Sequence, residues 1–80
     1  MNTEIWARFV ERLKNQVNDR CLAYLENLTC YNMNDTEWNL CLPDRASLNF
    51  VESNLYEKLH EVLHDVLKEA NLNTDVAINL

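Results

Sequence analysis

Eighty residues, 48% of them hydrophobic, describe one small domain (1–80) with room for a single modest core, which hides about 60% of the unfolded surface on folding. Thirteen Asp and Glu against seven Lys and Arg leave a formal charge of -6, which opposes direct nucleic-acid binding because that affinity comes from clustered basic side chains releasing counterions. The chain has no glycine at all, so the loops that cradle phosphates or turn beneath a dinucleotide cannot be built, and no cofactor is expected.

Beginning at the N-terminus, Asn2-Thr3-Glu4 lacks the basic and apolar regions of a secretory signal. Trp6, Phe9, Val10, Leu13 and Val17 then recur at the three-and-four spacing of a helix, with Arg8, Glu11, Arg12 and Lys14 on the rest of the wheel. Asn18 and Asp19 offer a cap for a short second helix with Leu22, Leu25 and Leu28 on one side. Tyr31 and Met33 alternate around Asn32, the turn-formers Asn34-Asp35-Thr36 follow, and a strand returns from Glu37 to Leu42; this is a hairpin whose glycine-free turn is longer than two residues.

The stretch Glu37 to Phe50 carries the most information. Trp38, Leu40 and Leu42 share one strand face, Pro43 cannot donate a further ladder hydrogen bond, and the Asp44 carboxylate can accept from the first N–H groups of a helix. From there Leu48, Val51, Leu55, Leu59, Val62, Leu63, Val66 and Leu67 form one long helical stripe, with room for a bend near Ser53-Asn54. Asn71 and Asn73 punctuate its end, and Val76, Ile78 and Leu80 alternate in a last strand. The order α-α-β-β-α-β implies an α+β domain. A right-handed crossover lays the long helix over one face of a three-stranded sheet, and the first two helices complete the cover. There is no internal repeat, linker or low-complexity segment.

With that order, the chain resembles the N-terminal domain (domain I) of the bacterial replication initiator DnaA, without a gap from Ile5 to Leu80. The apolar-Trp opening is Ile5-Trp6, the family's aromatic pair of the second helix stands as Leu22 and Leu25, its Pro-Asn corner as Pro43-Asp44, and its third-helix aromatic as Phe50. The chain departs from the pattern at Glu26-Asn27-Leu28-Thr29, where an apolar-Pro-Leu ending is usual, and at Ala46, where a Phe is usual. The resemblance implies a KH-like fold and a cytoplasmic docking module of DNA replication initiation. Such a module associates weakly with itself and recruits the replicative helicase or regulatory proteins through partner-binding positions at Trp6, Leu22, Leu25, Ala46 and Phe50. The Gly-x-x-Gly loop by which KH domains hold single strands cannot exist here.

Three other functions have a basis in the sequence. A related KH-like domain closes the tau subunit of the clamp loader and holds the polymerase, and Leu22-Ala23-Tyr24-Leu25 suits it as well. A free-standing regulator mimicking the initiator domain would fit a chain that ends just after the last strand. His60-Glu61-Val62-Leu63-His64 spells the H-E-x-x-H string of zinc hydrolases, in which two imidazoles one turn apart ligate the metal and Glu activates its water. Against the zinc hydrolase, only sixteen residues follow His64, and their carboxylates beyond Asp65 are Glu69 and Asp75. At about 100° per residue Glu61 lies opposite the apolar stripe with both histidines on its flank, which is the pattern of a solvated helix face with at most adventitious metal binding. The expectation is therefore no enzyme and no metal site.

Among the remaining residues, the odd cysteine count, with Cys21, Cys30 and Cys41 at unrelated spacings, cannot close a disulfide framework and points to a reducing, intracellular compartment. Small half-buried hydrophobes describe them better than nucleophiles. By the same wheel Phe50 lies about 180° from the apolar stripe, and Trp6 opens its helix, so either aromatic could anchor a partner. The plain alternative is that Trp6 and Phe50 pack on each other or on the second helix. Tyr24 and Tyr56 are weaker surface candidates, and Glu57, Lys58, Glu61 and Asp65 read as a solvated charged face.

Overall fold

The computed structural model describes residues 3–80, which form a small α+β domain of four helices and a three-stranded mixed sheet. Helix α1 (Thr3–Asn15) buries Ile5, Phe9 and Leu13, one turn apart on a single face, and carries Glu4 in its first turn and Arg12 and Lys14 in its last, where the helix dipole favours those signs. It ends before Val17, which packs half-buried beyond it. Helix α2 (Asp19–Leu25) starts as its sequence implies, with Asn18 Oδ1 accepting from the Cys21 N–H at 2.9 Å.

Strands β1 (Thr29–Met33) and β2 (Glu37–Cys41) pair antiparallel, and β3 (Ala77–Asn79) joins β2 in parallel, giving the order β1-β2-β3. The three-residue turn between β1 and β2 is organised by Asn34, whose Oδ1 accepts from the Thr36 N–H, the Thr36 hydroxyl and the Glu37 N–H, each at 2.9 Å. An Asx turn thus does the work a glycine would otherwise do. Alternation on β2 sends Trp38 and Leu40 into the core beside Ile78, while Glu37, Asn39 and Asn79 line the opposite, uncovered face. There the Asn79 side-chain amide donates to Asn39 Oδ1 at 2.8 Å and to Glu37 Oε2 at 3.1 Å.

Two expectations are corrected. The long helix expected after Asp44 is two helices, α3 (Arg45–Asn54) and α4 (Tyr56–Glu69), parted at Leu55, whose φ of −122° and ψ of −3° leave the helical region. The element order is therefore α-α-β-β-α-α-β. The cause is local. Ser53 and Asn54 are poor helix formers, and the Asn54 side-chain amide turns back to donate to the Phe50 carbonyl at 3.0 Å, competing with the backbone ladder. Leu55 itself is drawn into the core. The second correction concerns β1, where Tyr31 and Met33 do not share a face. A register shift between Cys30 and Asn32 inserts a bulge that leaves Tyr31 71% exposed, while Met33 stands opposite Trp38.

The core unites Phe9 and Leu13 of α1, Trp38, Leu40 and Ile78 of the sheet, Val51 of α3, and Leu59, Val62, Leu63, Val66 and Leu67 of α4. Among the described residues no polar or charged side chain is buried, so the interior is held by apolar packing alone. Helix α4 ends in a Schellman motif, with the Leu72 N–H donating to the Leu67 carbonyl at 2.9 Å and the Asn71 N–H to that of Lys68 at 3.1 Å. Asn71 takes the left-handed position (φ 58°) that glycine usually fills.

Candidate functional site

The corner after β2 positions α3. The Asp44 carboxylate accepts from the Ser47 N–H at 2.7 Å, and this hydrogen bond holds its pKa below the usual carboxylate range. With α3 so anchored, Ala46 lies exposed in its first turn and Phe50 half-buried one turn later on the same side. The Phe50 ring stacks on Tyr24 of α2 with centroids 3.9 Å apart and planes inclined by 10°. Leu22 is half-buried on α2. Tyr24, Phe50, Leu22 and Ala46 thus mark a partly apolar surface on the adjoining helices α2 and α3.

Leu25 does not present its side chain there. At 3% exposure it belongs to the core, because it continues the inward side of α2. Trp6 is half-buried and belongs to a different aromatic group, with ring centroids 5.6 Å from Phe9 and 6.0 Å from Trp38, and with Phe9 edge-on to Trp38 at 5.4 Å. Of the two packings weighed for the exposed aromatics, Phe50 takes the one against the second helix, and Trp6 covers the end of the core at α1 and β2. The wheel places Phe50 away from the apolar stripe, and that side of α3 meets α2, while its stripe side faces the core.

Sequence reasoning ranked Tyr24 too low and passed over Leu72. Tyr24 directly precedes a core residue, as Phe50 does, and that adjacency was its signal. Leu72, 46% exposed, lies on the rim of a cleft of about 270 Å³ between the hairpin turn and the end of α4, with Ile5, Trp38, Leu67 and Val76 among its walls. Its exposure follows from the Schellman turn, and an isolated Leu between two Asn residues gave little sign of it.

The histidines lie on α4, and the thiols lie apart from them. His60 is half-buried and edge-on to Tyr56 at 4.7 Å, His64 is exposed with Nδ1 3.8 Å from Asp65, and Glu61 lies 3.5 Å from Lys58 Nζ. Among the described residues no three His, Cys, Asp or Glu side chains converge as metal ligands, so the H-E-x-x-H string lacks the third ligand that catalytic zinc requires. All three cysteines are free. Partial burial raises the Cys30 thiol pKa, away from the reactive thiolate, and its Sγ lies 3.3 Å from the Asn32 carbonyl that it can donate to. Arg12 donates through both terminal nitrogens to the Glu69 carboxylate, tying α1 to α4, with Nη2 to Oε1 at 2.8 Å. That hydrogen bond lowers the Glu69 pKa and raises that of Arg12.

No helix among the described residues is long and apolar enough to cross a membrane. Comparison with protein-family models, with curated proteins and with solved structures finds no match to this chain.

Proposed function

We propose that this chain is a non-catalytic interaction domain of DNA replication initiation, of the DnaA N-terminal type, which docks the replicative helicase or a regulatory protein and associates weakly with itself. The observation that carries this reading is the stacked, half-exposed Tyr24–Phe50 pair joining α2 to α3, flanked by Leu22 and the exposed Ala46. Partly covered aromatic anchors on rigid helices are the chemistry of interface hot spots. That no three His, Cys, Asp or Glu side chains converge among the described residues, and that the thiols lie apart from the imidazoles, supports a binding role over a catalytic one.

The direct test is capture of purified replicative helicase by immobilised wild type and Phe50→Ala. The variant is expected to stay folded, since loss of the ring stacking beyond area burial costs about 0.5–1.5 kcal/mol, and to bind at least about tenfold more weakly. Equal helicase binding by the two proteins refutes the α2–α3 surface, and capture of the replicative polymerase in place of helicase supports the clamp-loader type of domain. Self-association is read by sedimentation of wild type against Trp6→Ala. The wild type is expected to associate at millimolar concentration and the variant less, and a wild type that stays monomeric counts against the assignment.

A further inference from the structure

We propose that His60 and His64 form a two-imidazole chelate for a divalent transition-metal ion on the flank of α4, at the cleft between that helix and the segment entering β3. The proposal stands independently of the interaction reading. Residues four apart on a helix are neighbours, with Cβ atoms about 5–6 Å apart, so two imidazoles at this spacing can meet one ion. Both lie within α4, whose inner face is anchored by Leu59, Val62, Leu63 and Val66, so the backbone that presents them is rigid.

Further features favour a cation here. His60 is half-buried against the Tyr56 ring, and the Tyr56 hydroxyl donates to the Ile78 carbonyl at 2.8 Å, so this imidazole is held in place before an ion arrives. His64 is exposed and has the freedom to close onto the ion. Both line a cleft of about 510 Å³ together with Glu61 and Asp75, and no Lys or Arg lines it. Asp75 is carried on a pinned segment, its N–H donating to Asn73 Oδ1 at 3.1 Å. Glu61 is ion-paired with Lys58 at 3.5 Å, so Asp75 supplies the cleft's unneutralised carboxylate beside the two imidazoles at its edge.

The absence of a third converging side chain defines the kind of site. Two protein nitrogens leave the other coordination positions to water, giving an ion that is bound and exchangeable and is not a hydrolytic centre. Imidazole donors select Cu²⁺, Ni²⁺ and Zn²⁺ over Mg²⁺ and Ca²⁺, with Cu²⁺ tightest. Because the pair is set only in the folded helix, the ion stabilises the native state.

The test uses reduced, chelator-treated wild type titrated calorimetrically with NiCl₂, ZnCl₂ and MgCl₂, with Ni²⁺-induced paramagnetic broadening of amide signals as a map. One Ni²⁺ or Zn²⁺ per chain is expected, no heat with Mg²⁺, broadening centred on residues 60–64, and a rise in melting temperature with excess Ni²⁺. His60→Gln and His64→Gln are each expected to weaken binding by at least about tenfold and to abolish the thermal shift. Affinity unchanged in either variant overturns the chelate. So does broadening centred on Cys41 or on the chain N-terminus. The map is made on the wild type, so it decides the question even if a variant folds poorly.

Discussion

At the scale of single residues, this glycine-free chain solves its special backbone positions with Asn and Asp. Asn18 and Asp44 cap helices, Asn34 closes the hairpin, Asn71 takes the left-handed cap, and Asn73 pins the segment before β3. All were visible in the sequence as short polar residues at element ends, because the capping and turn hydrogen bonds they make reach only two or three residues along the chain; the Asn73 amide alone among them also donates to a distant group, the Asp35 carbonyl, at 3.0 Å. Asp44 gives a test with a definite sign. Its folded-state pKa is lowered by the Ser47 hydrogen bonds, so its contribution is complete above the unfolded pKa and is lost as pH falls through the folded one. In urea titrations from about pH 6 down to about pH 2, spanning the ordinary Asp value of about 3.9, the wild type should lose stability relative to Asp44→Asn, which retains a capping oxygen. A constant difference across that range would show that the carboxylate charge is not what the cap uses.

At the scale of elements, periodicity places the apolar segments in their order but reads α3 and α4 as one helix and β1 as a regular strand. The bulge at Cys30–Asn32 has no local signal in the sequence, whereas the break at Leu55 combines the local Ser53-Asn54 signal, where the sequence leaves room for a bend, with the burial of Leu55. The end of α4 is the case opposite to the bulge, since Asn71 signals it locally. Replacing Asn71 by Ala puts a β-carbon without a local hydrogen-bonding group at a positive φ and should cost about 1–2 kcal/mol in thermal or urea unfolding. Asn71→Gly should match or exceed the wild type. An Ala variant as stable as wild type would mean that the turn relaxes to another conformation.

At the scale of the whole molecule, helices cover one face of the sheet and the other carries the Asn39–Asn79–Glu37 network. Among the described residues sixteen buried apolar side chains form one cluster, which includes Trp38 at 2% exposure, while Trp6 packs half-covered against its edge. This predicts a two-component response to acrylamide quenching of fluorescence. In Trp6→Phe the remaining emission should be blue-shifted and resistant to quencher, and in Trp38→Phe it should be accessible. A readily quenched Trp6→Phe protein would contradict the placement of Trp38 at the centre of the core.

The candidate surface was legible only in part. Trp6 stands out by opening its helix, Phe50 by lying opposite the apolar stripe and Leu22 through the resemblance, and all three are half-exposed. Leu25 is marked as a partner-binding position only by the resemblance and lies in the core with Leu28, on the apolar side of the second helix that the spacing of Leu22, Leu25 and Leu28 indicates. Sequence by itself determined the α+β class, the order of strands and helices up to the split helix, the caps and the side of β2 that is buried, since these follow from side-chain period and hydrogen bonds of short reach. Tertiary structure alone decided that Phe50 meets Tyr24 and that Trp6 meets Trp38. These contacts join residues distant in the chain, and they form only when the apolar faces of separate elements close on one another.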